Sequence, residues 1–444
     1  MSEQEPIDLL ISARWIIPVV PAGQVLENYA LAVQQGNIVA LLPADEAAQR
    51  FQAKETLELG DHIVIPGLIN AHGHAAMSLM RGYADDTELQ TWLQEHIWPA
   101  EARWVDSSFV RDGTELAMAE MIRSGTSCFS DMYFFPEQAA QAADTAGMRC
   151  QVAFPVLDFP TAWAEGPDAY LAKGQQLQDA YRQHPRISIG FGPHAPYTVS
   201  DQPLQCIAER SAQQQTPVQI HLHETAQEVE TALKGSGERP IQRLHRLGLL
   251  SPLTQCVHMT QVNAEDIALL QETGAHVVHC PESNLKLASG FCPVAELLDA
   301  GVNVALGTDG AASNNDLDLL GEMRTAALLA KGVAGNAASV DAHSALRMAT
   351  LNGARALGLE ARTGSLEVGK AADIAAIALG DLETLPLYNP ASQLVYANNS
   401  HRVSHVWVDG RALLHNGELQ TLDKQALMNK AKAWNEKLQA AEEL

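Results

Sequence analysis

Eight short runs of β-branched and small apolar residues dominate the middle of this chain, each ending in polar or special residues and each followed by a longer helical pattern. They are His62–Ile69, Thr126–Asp131, Arg149–Leu157, Ile187–Phe191, Val218–His223, Gln255–Met259, His276–Cys280 and Val302–Thr308. Candidate helices such as Asp106–Arg123 and Pro203–Gln214 lie between them. Strands that alternate with helices pair in parallel, because the helix returns the chain to the same end of the sheet. Eight units in roughly 250–300 residues fit a closed (β/α)8 barrel better than an open sheet. The chain, at 444 residues, has room for that barrel and a second module.

The flanks read differently. Leu9–Pro18 and Tyr29–Leu42 have the character of strands joined by turns, with Gln35-Gly36-Asn37 as a hairpin signal. Gly364–Ile377 and Ser404–Leu414 are similar, with Asp409-Gly410 as turn chemistry. Neither flank carries enough apolar surface to fold well alone. The expected fold is therefore α/β: a TIM-like (β/α)8 barrel over residues 65–364, with a small β-sandwich built from both termini, residues 1–64 and 365–444. In Asp423–Leu444, Leu427, Ala431, Trp434 and Leu438 share one helical face, which suits a terminal helix packed on the body of the protein.

Composition narrows the partners. With 46 % hydrophobic and 18 % charged residues the chain suits a globular enzyme with a sizeable core. A formal net charge of -24 repels phosphate backbones and anionic lipid, so nucleic acid and membranes are not expected partners. A neutral or cationic small molecule suffers least from this field. The six cysteines form no C-x-x-C pair, and most lie in apolar runs, as buried reduced thiols do. Met1-Ser2-Glu3-Gln4-Glu5 lacks a basic leader region, and the apolar run Ile7–Val20 is broken by Arg14. Those features point to the cytoplasm.

The chemistry gathers at strand ends. The first run ends Asn70-Ala71-His72-Gly73-His74. On a strand, residues i and i+2 project to one side, so His72 and His74 point together at the end where barrel sites are built. The fifth run ends His221-Leu222-His223-Glu224, where either histidine can serve as a ligand, and the eighth ends Thr308-Asp309-Gly310. Each feature alone has a plain structural alternative: a polar turn for the histidine pair, a helix cap for the aspartate. Their coincidence at the C-terminal ends of one barrel is what argues for a metal. Neutral imidazoles with a carboxylate suit Zn2+, with Fe2+ second.

Five segments, "PGLINAHGH", "GPHAPYTVS", "HLHE", "HCPESNLKLASG" and "LGTDGAASNNDLDL", together resemble the amidohydrolase superfamily over nearly the whole chain. They resemble its aminohydrolase branch, which includes 5'-methylthioadenosine/S-adenosylhomocysteine deaminases and triazine hydrolases. The resemblance selects His221 over His223, giving one metal held by His72, His74, His221 and Asp309. It implies a single metal because His194, not a lysine, occupies the end of the fourth run.

A metal-bound water loses protons near neutral pH. Asp309 can take such a proton, and the resemblance makes Glu224 the general acid and base at the substrate. His258, which ends the sixth run, reads from its residues alone as a satisfied core histidine; the resemblance makes it a catalytic hydrogen-bonding group. By the same resemblance Glu101 binds the ribose hydroxyls and His194 faces the substrate. A carboxylate accepting from two vicinal hydroxyls is good sugar chemistry. Trp92 is a candidate pocket wall, and Ser283, Asn284 and Ser313 fall in matching loops without assigned roles.

The expected reaction is hydrolytic deamination of a 5'-modified adenosine to the inosine analogue and ammonia. The loop Pro155–Trp163 has two aromatic residues and no arginine, which favours methylthioadenosine or adenosine over S-adenosylhomocysteine. The alternative enzyme class acts on guanine, cytosine or a triazine, and lacks a ribose for Glu101. A non-catalytic binding protein is the remaining reading, disfavoured because all four ligands and Glu224 are present. The resemblance also admits a homo-oligomer.

Overall fold

The computed structural model describes residues 4–397 and 399–440. Residues 1–3, part of the acidic start, and 441–444, the end of the helical segment, lie outside the described residues.

The N-terminal flank forms β1 (Glu5–Ile16), β2 (Leu26–Gln34), β3 (Asn37–Pro43) and β4 (Phe51–Pro66). The barrel follows as β5 (Leu68–Asn70), β6 (Thr126–Asp131), β7 (Arg149–Val156), β8 (Ile187–Pro193), β9 (Val218–Leu222), β10 (Thr254–His258), β11 (His276–His279) and β12 (Val304–Leu306). The C-terminal flank adds β13 (Ile374–Ala378), β14 (Val403–Val408), β15 (Arg411–His415) and β16 (Glu418–Leu419).

The two flanks share one sheet in the order β16-β15-β14-β13-β4-β1-β2-β3. Long β4 is the seam: it pairs in parallel with β1 and antiparallel with β13, Ile65 opposite Ala375. Both predicted turns are two-residue links with left-handed backbone, Gln35-Gly36 (φ 50° and 76°) and Asp409-Gly410 (φ 49° and 71°). That geometry matches the twist of the strands they join. Leu9, Ile11, Leu31, Ile38, Val64, Ile374 and Trp407 form a core drawn from both termini, so neither flank buries its apolar face without the other.

The barrel strands are neighbours in sequence order, and the β5–β6, β6–β7, β7–β8, β8–β9, β9–β10, β10–β11 and β11–β12 pairs are all parallel. The ring closes through the Ala71 N–H on the Leu306 carbonyl (2.8 Å) and the Thr308 N–H on the His72 carbonyl (3.1 Å). One expected run divides. His62–Pro66 finishes β4 in the terminal sheet, and the barrel starts only at Leu68. The backbone changes partner across one residue: the Gly67 N–H bonds Asp373 of the terminal sheet's flank, and the Leu68 N–H bonds Gly125 before β6. A Cβ at Gly67 would lie 2.2 Å from the Ser127 hydroxyl oxygen, so only glycine fits this crossing.

Buried Arg149, the first residue of β7, ties the two bodies together. It makes a two-pronged bond to Asp373 (2.8 and 3.1 Å) and a third to Asp409 (2.9 Å). The helix Ser107–Arg123 is capped by Asp106, which accepts from the Phe109 N–H. On it packs the C-terminal helix Lys424–Gln439, with Leu427, Trp434 and Leu438 buried and Trp434 edge-on to Phe109 at 5.2 Å. Among the described residues no helix is long and apolar enough to cross a membrane.

Candidate active site

His72 and His74 follow β5, His221 sits on β9, and Asp309 follows β12. One nitrogen or oxygen from each of the four lies within 4.8 Å of all the others, the only such group of three or more His, Cys, Asp or Glu among the described residues. Gly307 lets β12 come this close, since a Cβ there would stand 2.9 Å from the His72 backbone nitrogen and oxygen.

Each histidine is fixed from behind. His72 Nδ1 donates to the Gln219 side-chain oxygen (2.8 Å), His74 Nδ1 to the Met132 carbonyl (2.6 Å) and His221 Nδ1 to the His194 carbonyl (2.7 Å). With every Nδ1 committed as a donor, the three Nε2 atoms are left to face one another as the ligating positions, where a metal takes the place of any proton. His72 Nε2 is buried with no hydrogen-bond partner, 3.4 Å from an Asp309 oxygen. An orphaned buried nitrogen of this kind costs about 1–3 kcal/mol unless something occupies the point it faces. Three nitrogens and one carboxylate oxygen fit a divalent cation of the zinc type.

Burial pushes His72 below its ordinary pKa and His221 well below, so both are neutral. Burial works against a charge on His74 too, but its bond to Asp309 wins and raises it to about 9. Asp309 has φ 60°, a left-handed backbone rare outside glycine and worth about 1–3 kcal/mol of strain. That twist aims the carboxylate at His72 and His74, and three donors hold it: the Gly310 N–H (2.8 Å), Ser283 (2.7 Å) and Ser313 (2.9 Å). Ser283 and Ser313, left without roles by the sequence, thus orient Asp309.

His223 is placed elsewhere. β9 ends at Leu222, and His223 turns to φ 52°. Its Nδ1 meets the Gln261 carbonyl (3.1 Å) and its Nε2 accepts from the Ile241 N–H (3.2 Å), so both nitrogens are spent on backbone. Glu224 follows, its carboxyl buried near the cluster. Burial, then the charge of Asp309, raise it to about 8. His258 also has left-handed backbone (φ 76°), donates through Nδ1 to the Asn284 side-chain oxygen (2.9 Å), and brings Nε2 to 3.9 Å from Glu224.

These groups open into one cavity of about 550 Å³. His74, His221, Asp309, Glu224, His258 and His194 line its inner end, and Pro155, Leu157, Phe159, Pro160 and Ala162 form an apolar wall. One side is the helical segment after β5, which carries Trp92, Trp98 and Glu101. A π-helical turn over Trp92–Ile97 lets residues five apart face the cavity together. Glu101 accepts from the Tyr133 hydroxyl (2.6 Å); burial raises its carboxyl to about 7 against that hydrogen bond. No lysine or arginine lines the cavity among the described residues.

The amidohydrolase family pattern matches residues 63–413. The chain belongs to the amidohydrolase family. Its relatives include two named 5-methylthioadenosine/S-adenosylhomocysteine deaminase, from Saccharophagus degradans (57 % identical, 99 % of both chains) and Teredinibacter turnerae (55 %, 99 % of this chain and 100 % of the other). A solved adenosine deaminase from Xanthomonas campestris with bound zinc superposes with a TM-score of 0.98 at 49 % identity, over 99 % of this chain and 100 % of that one. The likeness to an atrazine chlorohydrolase from Arthrobacter aurescens, at 24 % identity and a TM-score of 0.89 over 96 % and 99 % of the two chains, concerns the fold alone.

Two residues of this amidohydrolase site escaped the sequence reading. Gln219 carries a visible signal, since it stands two residues before His221 and therefore on the same face of β9. Tyr133 lies two residues beyond Asp131 at the end of β6, a weaker signal because that strand end contributes no ligand.

Proposed function

We propose that this chain deaminates 5'-modified adenosines by hydrolysis, with 5'-methylthioadenosine or adenosine preferred over S-adenosylhomocysteine. The observation that carries the reading is the single cavity that joins the four-residue cluster and Glu224 to Glu101 and an apolar wall without lysine or arginine. The deaminase names of the relatives and the zinc of the adenosine deaminase support it. His72, His74, His221 and Asp309 would hold Zn2+, which supplies a Lewis acid that brings a water's pKa near neutrality.

The protein groups then have distinct tasks. Glu224 is neutral at pH 7 and can give its proton to the ring nitrogen beside the carbon under attack. Asp309, held well below the usual carboxylate range by the charge of His74 despite its burial, is ionised and can take the water proton. His258 is neutral with its Nδ1 hydrogen committed to Asn284, so its Nε2 accepts and can turn the attacking water toward the ring. Glu224, by then a carboxylate, takes the proton of the new hydroxyl as the carbonyl forms and passes it to the leaving amine, which departs as ammonia, and the proton held by Asp309 then restores the acid form of Glu224. Glu101 holds the ribose hydroxyls, His194 borders the base, and the Leu157–Phe159–Pro160 wall meets the 5' group. The six unpaired cysteines suit the cytoplasm, and assembly into a homo-oligomer is compatible with this reading.

The test is ammonia release from adenosine, methylthioadenosine, S-adenosylhomocysteine, guanine, cytosine and triazines. Methylthioadenosine or adenosine should give the highest kcat/KM. Turnover confined to free bases or triazines would sink the nucleoside reading, and a clear preference for S-adenosylhomocysteine would sink the apolar-wall argument.

A further inference from the structure

Three glutamines lie inside the barrel below the cluster: Gln151 on β7, Gln255 on β10 and Gln219 on β9, each 1 % exposed or less. They form one continuous string. The Gln151 amide nitrogen donates to the Leu357 carbonyl (3.2 Å), and its oxygen accepts from Gln255 (2.8 Å). Gln255 also donates to the Ala356 carbonyl (2.8 Å), and its oxygen accepts from Gln219 (2.6 Å). The second N–H of Gln219 points to the Ala71 carbonyl (2.9 Å), with the Ser130 hydroxyl oxygen beside it at 3.1 Å, and its oxygen accepts from His72 Nδ1 (2.8 Å).

The string has a direction that its ends impose. Ala356 and Leu357 close the helix Leu351–Ala356, and their carbonyls can only accept. Gln151 and Gln255 must therefore present NH2 groups downward and oxygens toward Gln219. Turning any one amide over would set oxygen against oxygen in a dry interior. The end that reaches His72 is consequently an oxygen. An acceptor there forces the imidazole to carry its hydrogen on Nδ1 and leaves Nε2 free.

We propose that Gln151, Gln255 and Gln219 form a positioning relay from the barrel floor to His72, fixing the ligand's tautomer and raising the metal affinity of the cluster. The relay rests on the reading of that cluster as a metal site. Hydrogen bonds in a chain polarise one another, so a break two links away is still felt at the imidazole, more weakly with each link.

The test uses the full chain and zinc itself. Zinc affinity is measured by chelator competition for Gln219→Met, Gln255→Met and Gln151→Met, beside circular dichroism to confirm folding. The His72 Nδ1–H proton resonance is followed in nitrogen-15-labelled protein. The first two variants should weaken zinc by about tenfold, within the range for groups behind a ligand, and Gln151→Met by less. The resonance should move in all three. Wild-type zinc affinity together with an unmoved resonance in Gln255→Met and Gln151→Met would overturn the relay. Should Gln255→Met not fold, Gln151→Met decides alone. A wild type that binds no zinc would instead overturn the metal reading beneath it.

Discussion

The two ends of the cavity are built on opposite plans. At the inner end the four clustered residues and His258 each have a fixed partner: Gln219, Met132 and His194 behind the three histidines, Ser283 and Ser313 behind Asp309, Asn284 behind His258. At the mouth the walls are apolar, and Trp98, Phe159 and Tyr197 stand 37 % to 49 % exposed. Chemistry needs groups held to a fraction of an ångström, whereas a hydrophobic wall needs only to exclude water from a substituent. Damage at the inner end should therefore be large and independent of substrate. Damage at the mouth should be small and should depend on the 5' group.

The largest expected effect is at Glu224. Glu224→Gln should cost about 10²–10⁴-fold in kcat on every nucleoside, with zinc content unchanged. A loss below tenfold would break the contrast at its strongest point. In the proposed mechanism the acid form of Glu224 is the working form in the first proton transfer, and burial raises its pKa to about 8. Rising pH removes that form, so kcat/KM should fall above about pH 8, and the fall should be absent from whatever activity Glu224→Gln retains.

Next come the groups that hold the ligands. Ser283→Ala with Ser313→Ala strips both hydroxyls from the outer Asp309 oxygen, and metal affinity or activity should drop about 10–100-fold. Equal losses for adenosine and methylthioadenosine would agree with an inner-end role. A loss confined to one of them would move these serines to the mouth side of the comparison.

Glu101 stands between the two plans, polar but outside the cluster. A hydrogen bond to a charged group contributes about 1.5–3 kcal/mol, so Glu101→Gln should raise KM for ribonucleosides by about 10–100-fold with a smaller change in kcat. Its carboxyl also gives a stability signature. The folded pKa, about 7, lies above the ordinary 4.5, so folding favours the protonated form. That contribution is fully present below about pH 4.5 and is lost as pH rises through 7. Melting temperature should decline over that window in the wild type and more shallowly in Glu101→Gln.

The same contrast governs what the sequence could reveal. Strand order, the placing of His72, His74 and Asp309 at strand ends, and both two-residue turns rest on local periodicity and spacing, which a chain carries in plain view. The choice between His221 and His223 did not, because alternation puts both on one face. It turned on where β9 stops and on φ at His223, set by backbone partners near Gln261 and Ile241. The roles of Ser283, Asn284 and Ser313 were hidden for a related reason, since each depends on a partner 4 to 30 residues away in another loop or strand. The His62–Ile69 run misled through continuity of hydrophobicity. A fully buried strand leaving one sheet and a fully buried strand entering another read alike, and only Gly67 marks the change.

Phe159 gives the smallest effect and the sharpest discrimination. Its side chain lies on the wall formed by Leu157 and Pro160 and is 42 % exposed, so truncation opens the wall without leaving a sealed void. The loss is then limited to contact with the methylthio group, on the scale of one buried methylene, about 0.8 kcal/mol. Phe159→Ala should lower kcat/KM for methylthioadenosine about three- to fivefold, as that energy converts at 1.36 kcal/mol per decade. Adenosine, which ends in a hydroxyl, should change little. The ratio of the two substrates is therefore the quantity to measure, because it cancels any general disturbance of the inner end. A ratio that does not move would mean that the 5' group lies elsewhere in the cavity, and an equal fall on both substrates would mean that the mouth is coupled to the chemistry after all.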